Sequence, residues 1–196
     1  MKKIKTKKFI FSTQAKKLPE VIPIDEEFAY ILGLWNADRC STAKGIVGLR
    51  SKDDSLLEAF RKFFKKLGLQ PKERTVIGYG KTKEVYVCSM PLRRIFEWAR
   101  KNRLKLFGKR ELILAYVAGL FDGDGSSGDK SHLVIFYGKN EMDDVKKDKE
   151  LIWRLGFRVS IKEKENHIRL YILKPKRLIN MILPYVKLKR KFNKAA

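Results

Sequence analysis

Two aspartates, Asp38 and Asp124, close two stretches of sequence that read alike. Ala29-Tyr30-Ile31-Leu32-Gly33-Leu34-Trp35-Asn36-Ala37-Asp38 matches Ala115-Tyr116-Val117-Ala118-Gly119-Leu120-Phe121-Asp122-Gly123-Asp124 at nearly every position, at an offset of 86 residues. Small residues recur every fourth position: Ala29, Gly33 and Ala37, then Ala115, Gly119 and Gly123. On a helix this spacing makes one stripe, and a stripe without bulk lets two helix backbones come close. Each aspartate then falls at a helix C-terminus, where the backbone already carries negative partial charge. Two such ends side by side repel each other unless a cation joins them. Mg2+ or Mn2+, which accept a few carboxylate oxygens together with water and phosphate, suit that arrangement. Metal beside paired carboxylates activates water and stabilises the leaving oxygen of a phosphodiester. A single Asp at this position reads more simply as a cap or a loop salt bridge; the matched pair favours the metal.

The composition points to a partner of opposite charge. Lys and Arg total 45 against 22 Asp and Glu, a formal charge of +23 on 196 residues. Such a field attracts a polyanion, nucleic acid first. Charge alone does not separate cleavage from binding. Cys40 and Cys88 lie far apart without metal-ligand spacing and read as reduced thiols. His132 and His167 are too few for a zinc site. No apolar run is long enough to cross a bilayer, and no apolar core follows the basic start, Met1 to Lys8. The expectation is a cytoplasmic, nucleoid-associated protein. The Lys-rich composition with only two Gln hints at a thermophile.

The elements that must position the aspartates repeat as well. Lys66-Leu67-Gly68 answers Arg154-Leu155-Gly156 at an offset of 88, and Val85-Tyr86-Val87 answers Leu170-Tyr171-Ile172 at 85. Loop insertions produce drifts of this size. In the first half a helix opens at Pro23 and Asp25 and runs to about Ala37. A strand over 45–50, an amphipathic helix over 55–67, strands over 74–77 and 84–89 and a helix from Pro91 to about Lys101 follow. The second half gives a strand over 132–137, a helix over 144–155, strands over 158–162 and 167–173, and a helix over 174–184. The organisation is thus a basic extension over 1–22, a first half over 23–107 and a second half over 108–196 with a basic tail. The extension reads either as a solvated tail or as an arm that contacts DNA.

Val117 to Gly125, Val-Ala-Gly-Leu-Phe-Asp-Gly-Asp-Gly, resembles the LAGLIDADG motif of homing endonucleases, and Ile31 to Arg39 is similar to it more loosely. The resemblance is to the single-chain, two-motif type and covers roughly residues 24–192. It implies an α+β fold of two tandem, pseudo-twofold αββαββα repeats, with two antiparallel sheets forming a DNA-binding saddle around two central motif helices. It further implies a monomeric, intron-encoded enzyme that hydrolyses a long, asymmetric double-stranded DNA site with divalent metal. The motif's metal-binding acid falls on Asp38 and Asp124. Asn36 departs from the acid at the sixth position, and Arg39 replaces the final glycine beside Asp38. Pro184 to Lys191 is similar to the basic stretch that supplies an active-site lysine in single-motif members, which makes Lys189 the candidate. Lys105 and Lys109 compete as its first-half counterpart. A non-cleaving binder on the same scaffold, an RNA maturase or a DNA-binding regulator, is the alternative.

Strand alternation supplies a face for DNA. Arg158, Ser160, Lys162 and Lys164 are polar between Val159 and Ile161, while His167, Arg169 and Tyr171 alternate with Ile168, Leu170 and Ile172. The first half offers Arg50, Lys72, Arg74, Glu84 and Tyr86 against Val85 and Val87, with Lys81 and Lys83 in a turn. Period-two alternation turns one face to the core and leaves the other to the groove. Arg39, Arg50, Lys72, Arg74, Lys81, Lys83, Tyr86, Arg158, Lys162, Lys164, Arg169 and Tyr171 are the expected DNA contacts, Arg and Tyr at base edges and turn lysines at phosphates.

Overall fold

The computed structural model describes residues 2–10, 18–39, 45–77, 82–127 and 132–192. Asp25 opens α1 (Glu26–Asp38) by accepting the Phe28 amide at 2.8 Å, and Glu26 and Glu27 fill the positive first turn. The second motif helix, α4 (Arg110–Asp124), is buried from Leu112 through Asp122, as α1 is from Phe28 through Asn36. Helices apolar on all sides belong in the middle of a molecule. They pack on each other along the small residues. A Cβ at Gly33 would lie 2.1 Å from the Tyr116 carbonyl oxygen, and one at Gly119 would lie 2.1 Å from that of Tyr30. Tyr30 and Tyr116 are themselves equivalent positions of the repeat. The contact is therefore reciprocal, and only glycine fits it.

Two antiparallel sheets flank this pair. The first contains β3 (Ile46–Ser51), β4 (Lys72–Val76) and β5 (Thr82–Cys88) in the order β3-β5-β4. The second contains β6 (Gly125–Ser127), β7 (His132–Gly138), β8 (Val159–Glu163) and β9 (His167–Leu173) in the order β6-β7-β9-β8. Their registers repeat. Leu49 faces Val85 as Ile135 faces Leu170, and Glu73 faces Val85 as Ile161 faces Leu170. An isolated bridge from Arg39 to Leu49 is the counterpart of Gly125 to Ile135, so the strand that follows each motif helix begins in the same place.

The outer helices are α2 (Asp54–Lys66), α3 (Met90–Leu106), α5 (Met142–Arg154) and α6 (Lys176–Ile182). Gly68 and Gly156, at positive φ, turn the chain out of α2 and α5. Helix α3 extends past the expected end at Lys101, because no breaker precedes Gly108 and Arg103 is drawn into the interior. There its guanidinium meets Asp144 and Asp148 of α5, and Asp148 also accepts the hydroxyls of Tyr116 and Tyr137. One hydrophobic core runs through both halves.

The start of the chain differs from the expectation of a basic extension. Lys3–Lys5 (β1) pairs antiparallel with Val21–Pro23 (β2), and Ile4, Thr6, Leu18 and Ile22 are buried. Lysines on either side of Ile4 face outward while the isoleucine joins the core, so these residues are part of the body of the fold.

Gly33→Ala and Gly119→Ala are each expected to lower stability by about 3 kcal/mol in urea unfolding, because overpacking here pushes on backbone and not on a pliable side chain. Gly108→Ala, where a Cβ would meet nothing within 4 Å, should be near neutral.

Candidate metal centre and nucleic-acid interface

The crossing of α1 and α4 carries Asp38 and Asp124 to one spot. A Cβ at Gly123 would lie 2.4 Å from the Ala37 Cβ and 3.4 Å from Asp38 Oδ2. Burial pushes the Asp38 carboxyl up to about 6, with Asp53 adding to the effect and Lys191 opposing it. Burial and then the charge of Asp38 push Asp124 up to about 7, with Glu141 adding and Lys191 and Arg39 opposing. The pair is thus short of positive charge. Among the described residues no group of three or more His, Cys, Asp and Glu could hold a metal. The donors here are hard oxygens from two carboxylates. That set suits an ion such as Mg2+ or Mn2+ that keeps water and takes phosphate for its remaining positions.

The neighbouring acid position is built for anchoring. Asp122 accepts the Tyr30 hydroxyl at 2.7 Å and the amides of Lys187 and Leu188 at 2.7 and 3.1 Å. Its first-half counterpart Asn36 donates to the Tyr116 hydroxyl at 3.1 Å. By gripping Lys187 and Leu188, Asp122 lays the C-terminal segment across the end of α4.

That segment delivers Lys191, and not Lys189, to the motif-helix ends. Lys191 Nζ lies 2.7–3.1 Å from the carbonyl oxygens of Phe121, Asp122, Gly123 and Gly125. Burial lowers its pKa, while Asp122, Asp38 and Asp124 raise it. Lys189 is exposed. The turn over Lys189–Phe192 is a 3-10 helix, in which positions three apart share a face. Buried Leu188 sets the inward side, so Lys191 follows it in. Leu188 was the available sequence signal.

Lys105 and Lys109 stand at the wrong end. Lys109 caps the N-terminus of α4, and the carbonyl of exposed Lys105 accepts from Lys2 beside it. The 15 residues of α4 separate that end from Asp124 by roughly 20 Å. Arg39, one of the expected DNA contacts, is engaged within the protein. Its guanidinium pairs with Glu141 of the second half and donates to the Asn36 carbonyl at 2.9 Å, closing the end of α1.

On the sheets, Arg50, Lys72, Arg74 and Tyr86 share the face turned away from the core, with Arg50 and Arg74 both bonded to Glu84. Lys83 lies within β5 on the opposite face and pairs with Asp54 of α2, so it does not join them. Lys81, like Cys40, lies outside the described residues. In the second sheet Arg169 and Tyr171 share the outward face with Lys162, and Arg158 and Lys164 are exposed beside the strand. Lys162 sits 5.3 Å from the Tyr171 ring centre and Arg169 sits 5.4 Å from that of Phe136. Three aromatic residues that were not among the expected DNA contacts, His132, Phe136 and His167, complete this surface. His132 packs on Tyr171, His167 packs on Phe136, and Arg169 donates to His167 at 2.7 Å.

No protein-family model matches the chain. Among curated proteins it is 29% identical over 119 residues to the DNA-directed RNA polymerase subunit Rpo1C of Methanocaldococcus jannaschii, and 28% identical over 130 residues to the ATP-dependent DNA helicase Hel308 of Thermococcus kodakarensis. Those matches take in 57% and 56% of this chain but only 14% and 11% of the relatives' length. Solved structures match over most of the chain. I-DmoI in complex with DNA and Ca superposes at a TM-score of 0.63 with 20% identity, over 83% of this chain and 90% of that one. I-WcaI bound to its DNA recognition sequence gives 0.61 with 14% identity, over 98% of both chains. The N-terminal LAGLIDADG domain of DUF199/WhiA gives 0.60 with 17% identity, over 86% and 88%. The chain has the single-chain LAGLIDADG fold.

Because the folded-state pKa of Asp124 stands above its ordinary 3.8, at about 7, protonation favours the folded form. That contribution is present at low pH and is lost as pH rises through this window. Asp124→Asn should therefore leave metal-free stability unchanged near about pH 4 and raise it on the order of 2 kcal/mol near about pH 8 in urea unfolding. An equal effect at both pH values would contradict the electrostatic account.

Proposed function

We propose that this chain is a site-specific double-stranded DNA endonuclease that hydrolyses phosphodiesters with Mg2+ or Mn2+. The observation that carries the reading is the pair of half-buried, mutually repelling carboxylates at the adjoining ends of two equivalent helices, between two basic sheet faces. Asp38 and Asp124 would hold the metal, which when bound supplies charge for the leaving oxygen and a reactive water. The chain's own contribution is orientation. Reciprocal packing at Gly33 and Gly119 sets the spacing of the acids, and the Lys191 ammonium neutralises the carbonyl end of α4 and keeps positive charge near the reacting phosphate.

The substrate would be a long, asymmetric duplex read by unlike halves, 23–107 and 108–196, of one monomer. Arg50, Lys72, Arg74 and Tyr86 on one sheet and Arg158, Lys162, Lys164, Arg169 and Tyr171 on the other are the candidate contacts. An intron-encoded origin in a thermophile and a nucleoid location fit this reading. No helix among the described residues is long and apolar enough to cross a membrane.

One observation favours a second reading. Arg39 and Lys191 already bring positive charge to the ends of α1 and α4, as a non-cleaving maturase or DNA-binding regulator on this scaffold would need. The resemblance to the WhiA domain, described as a LAGLIDADG domain and not as an endonuclease, agrees with it.

Incubation with a randomised duplex library and Mg2+ separates the two. The endonuclease is expected to nick a selected subset, with activity removed by chelation. Asp38→Asn and Asp124→Asn should each lower cutting by about a thousandfold or more while duplex binding persists. Undiminished cutting by either variant would remove that aspartate from the mechanism, and selection without any nicking would leave the binder.

A further inference from the structure

Glu84 is an anomaly on the outward face of the first sheet. Register sets Arg50 of β3, Lys72 and Arg74 of β4, and Glu84 and Tyr86 of β5 on that side. Glu84 is the acid among them, and its side chain is 0% exposed. Glu73, the other acid of the sheet, faces α2 and pairs with Arg61. A carboxylate on a face that meets a polyanion cancels useful charge, so a role confined to phosphate attraction would favour its absence.

Its surroundings indicate what it does instead. Arg50, Glu84 and Arg74 stand directly opposite one another across three adjacent strands. Arg74 engages the carboxylate side-on, Nε to Oε2 at 3.0 Å and Nη2 to Oε1 at 3.2 Å, and Arg50 Nη2 reaches Oε2 at 3.5 Å. The Arg74 guanidinium lies 5.1 Å from the Tyr86 ring centre. One edge and one face of that guanidinium are thereby held. Side-on pairing commits Nε and one Nη2 hydrogen, so the Nη1–Nη2 end is directed away from Glu84 on a side chain that is 45% exposed. Those end donors match guanine O6 and N7 in the major groove. A phosphate accepts a loosely held cation, whereas a base edge demands an oriented one. In the second sheet the outward-facing Arg169 is held by the His167 imidazole and by the Phe136 ring, so among the described residues the carboxylate clamp belongs to the first half.

We propose that Glu84 is a positioning residue that holds Arg74 for bidentate recognition of a guanine in the half-site beneath the first sheet. This rests on the DNA-reading role of the sheet faces proposed above.

The test is selection of bound duplexes from a randomised library by the full chain, by Glu84→Gln, by Arg74→Lys and by Arg169→Gln, all at one salt concentration. The wild type should select a guanine at one position of one half-site. Glu84→Gln should weaken that preference about tenfold or more, leave the other half-site unchanged, and bind unselected duplex as tightly as the wild type or more tightly. Arg74→Lys, which keeps the charge and loses the fork, should lose the same guanine and serves if Glu84→Gln does not fold. Arg169→Gln should alter only the other half-site. A Glu84→Gln profile identical to the wild type, or a loss spread over both half-sites as general destabilisation would produce, would overturn the proposal and leave DNA binding standing. A wild type that selects no sequence would instead overturn the DNA-reading function itself, and the role of Glu84 with it.

Discussion

Helices α1 and α4 approach until a Cβ at Gly33 would strike the Tyr116 carbonyl and one at Gly119 would strike the Tyr30 carbonyl. At this separation the Tyr30 hydroxyl can reach Asp122 and the Asn36 amide can reach the Tyr116 hydroxyl, so polar groups buried between the helices find partners in each other. The same separation sets Ala37 against Gly123 and puts Asp38 beside Asp124. A wider crossing would leave two ordinary helix ends, each solvated on its own. The close one creates a concentration of negative charge that the rest of the molecule must answer.

The answer is asymmetric although the scaffold repeats. At the end of α1 the cation is Arg39, held in turn by Glu141 of the other half. At the end of α4 it is Lys191, carried in by a C-terminal segment that Asp122 pins through two backbone amides. One cation comes from the residue next to its acid and the other from a segment more than sixty residues away in sequence. Chain connectivity explains the difference, since α3 leads straight into α4 and leaves the first half no trailing segment to fold back.

The outer layers diverge in the same way. Around α1 the packing is aromatic, with Phe28, Phe63 and Trp35 all against Phe96. Between α3 and α5 it is ionic, with Arg103 fully buried among Asp144, Asp148, Tyr116 and Tyr137. Buried ion pairs add little net stability, but breaking one strands a charge, so this network resists sliding of the first half against the second. The sheet faces differ too. One carries an acid-clamped arginine and the other a cation–aromatic stack.

Local pattern made the main frame legible before any coordinates. The small-residue stripe named the two central helices, and the offsets of 86, 88 and 85 in sequence recur in the strand registers. Helix periodicity, strand alternation and cap residues act over a few positions, so the chain's own order carries them. The strand at Lys3–Lys5 was not legible, because three residues hold too little alternation and its partner lies beyond an intervening loop. Nor was the direction of the charged side chains. Four basic residues crowd 187–191, yet only the docking of Leu188 decides that Lys191 and not Lys189 turns inward. Arg39 beside Asp38 was plain to read, while its capture by Glu141 required the second half to be in place. Residue type and spacing determined which acids meet and on what helices. Tertiary packing alone decided which cations reach them, because a long flexible side chain takes its direction from neighbours distant in the chain.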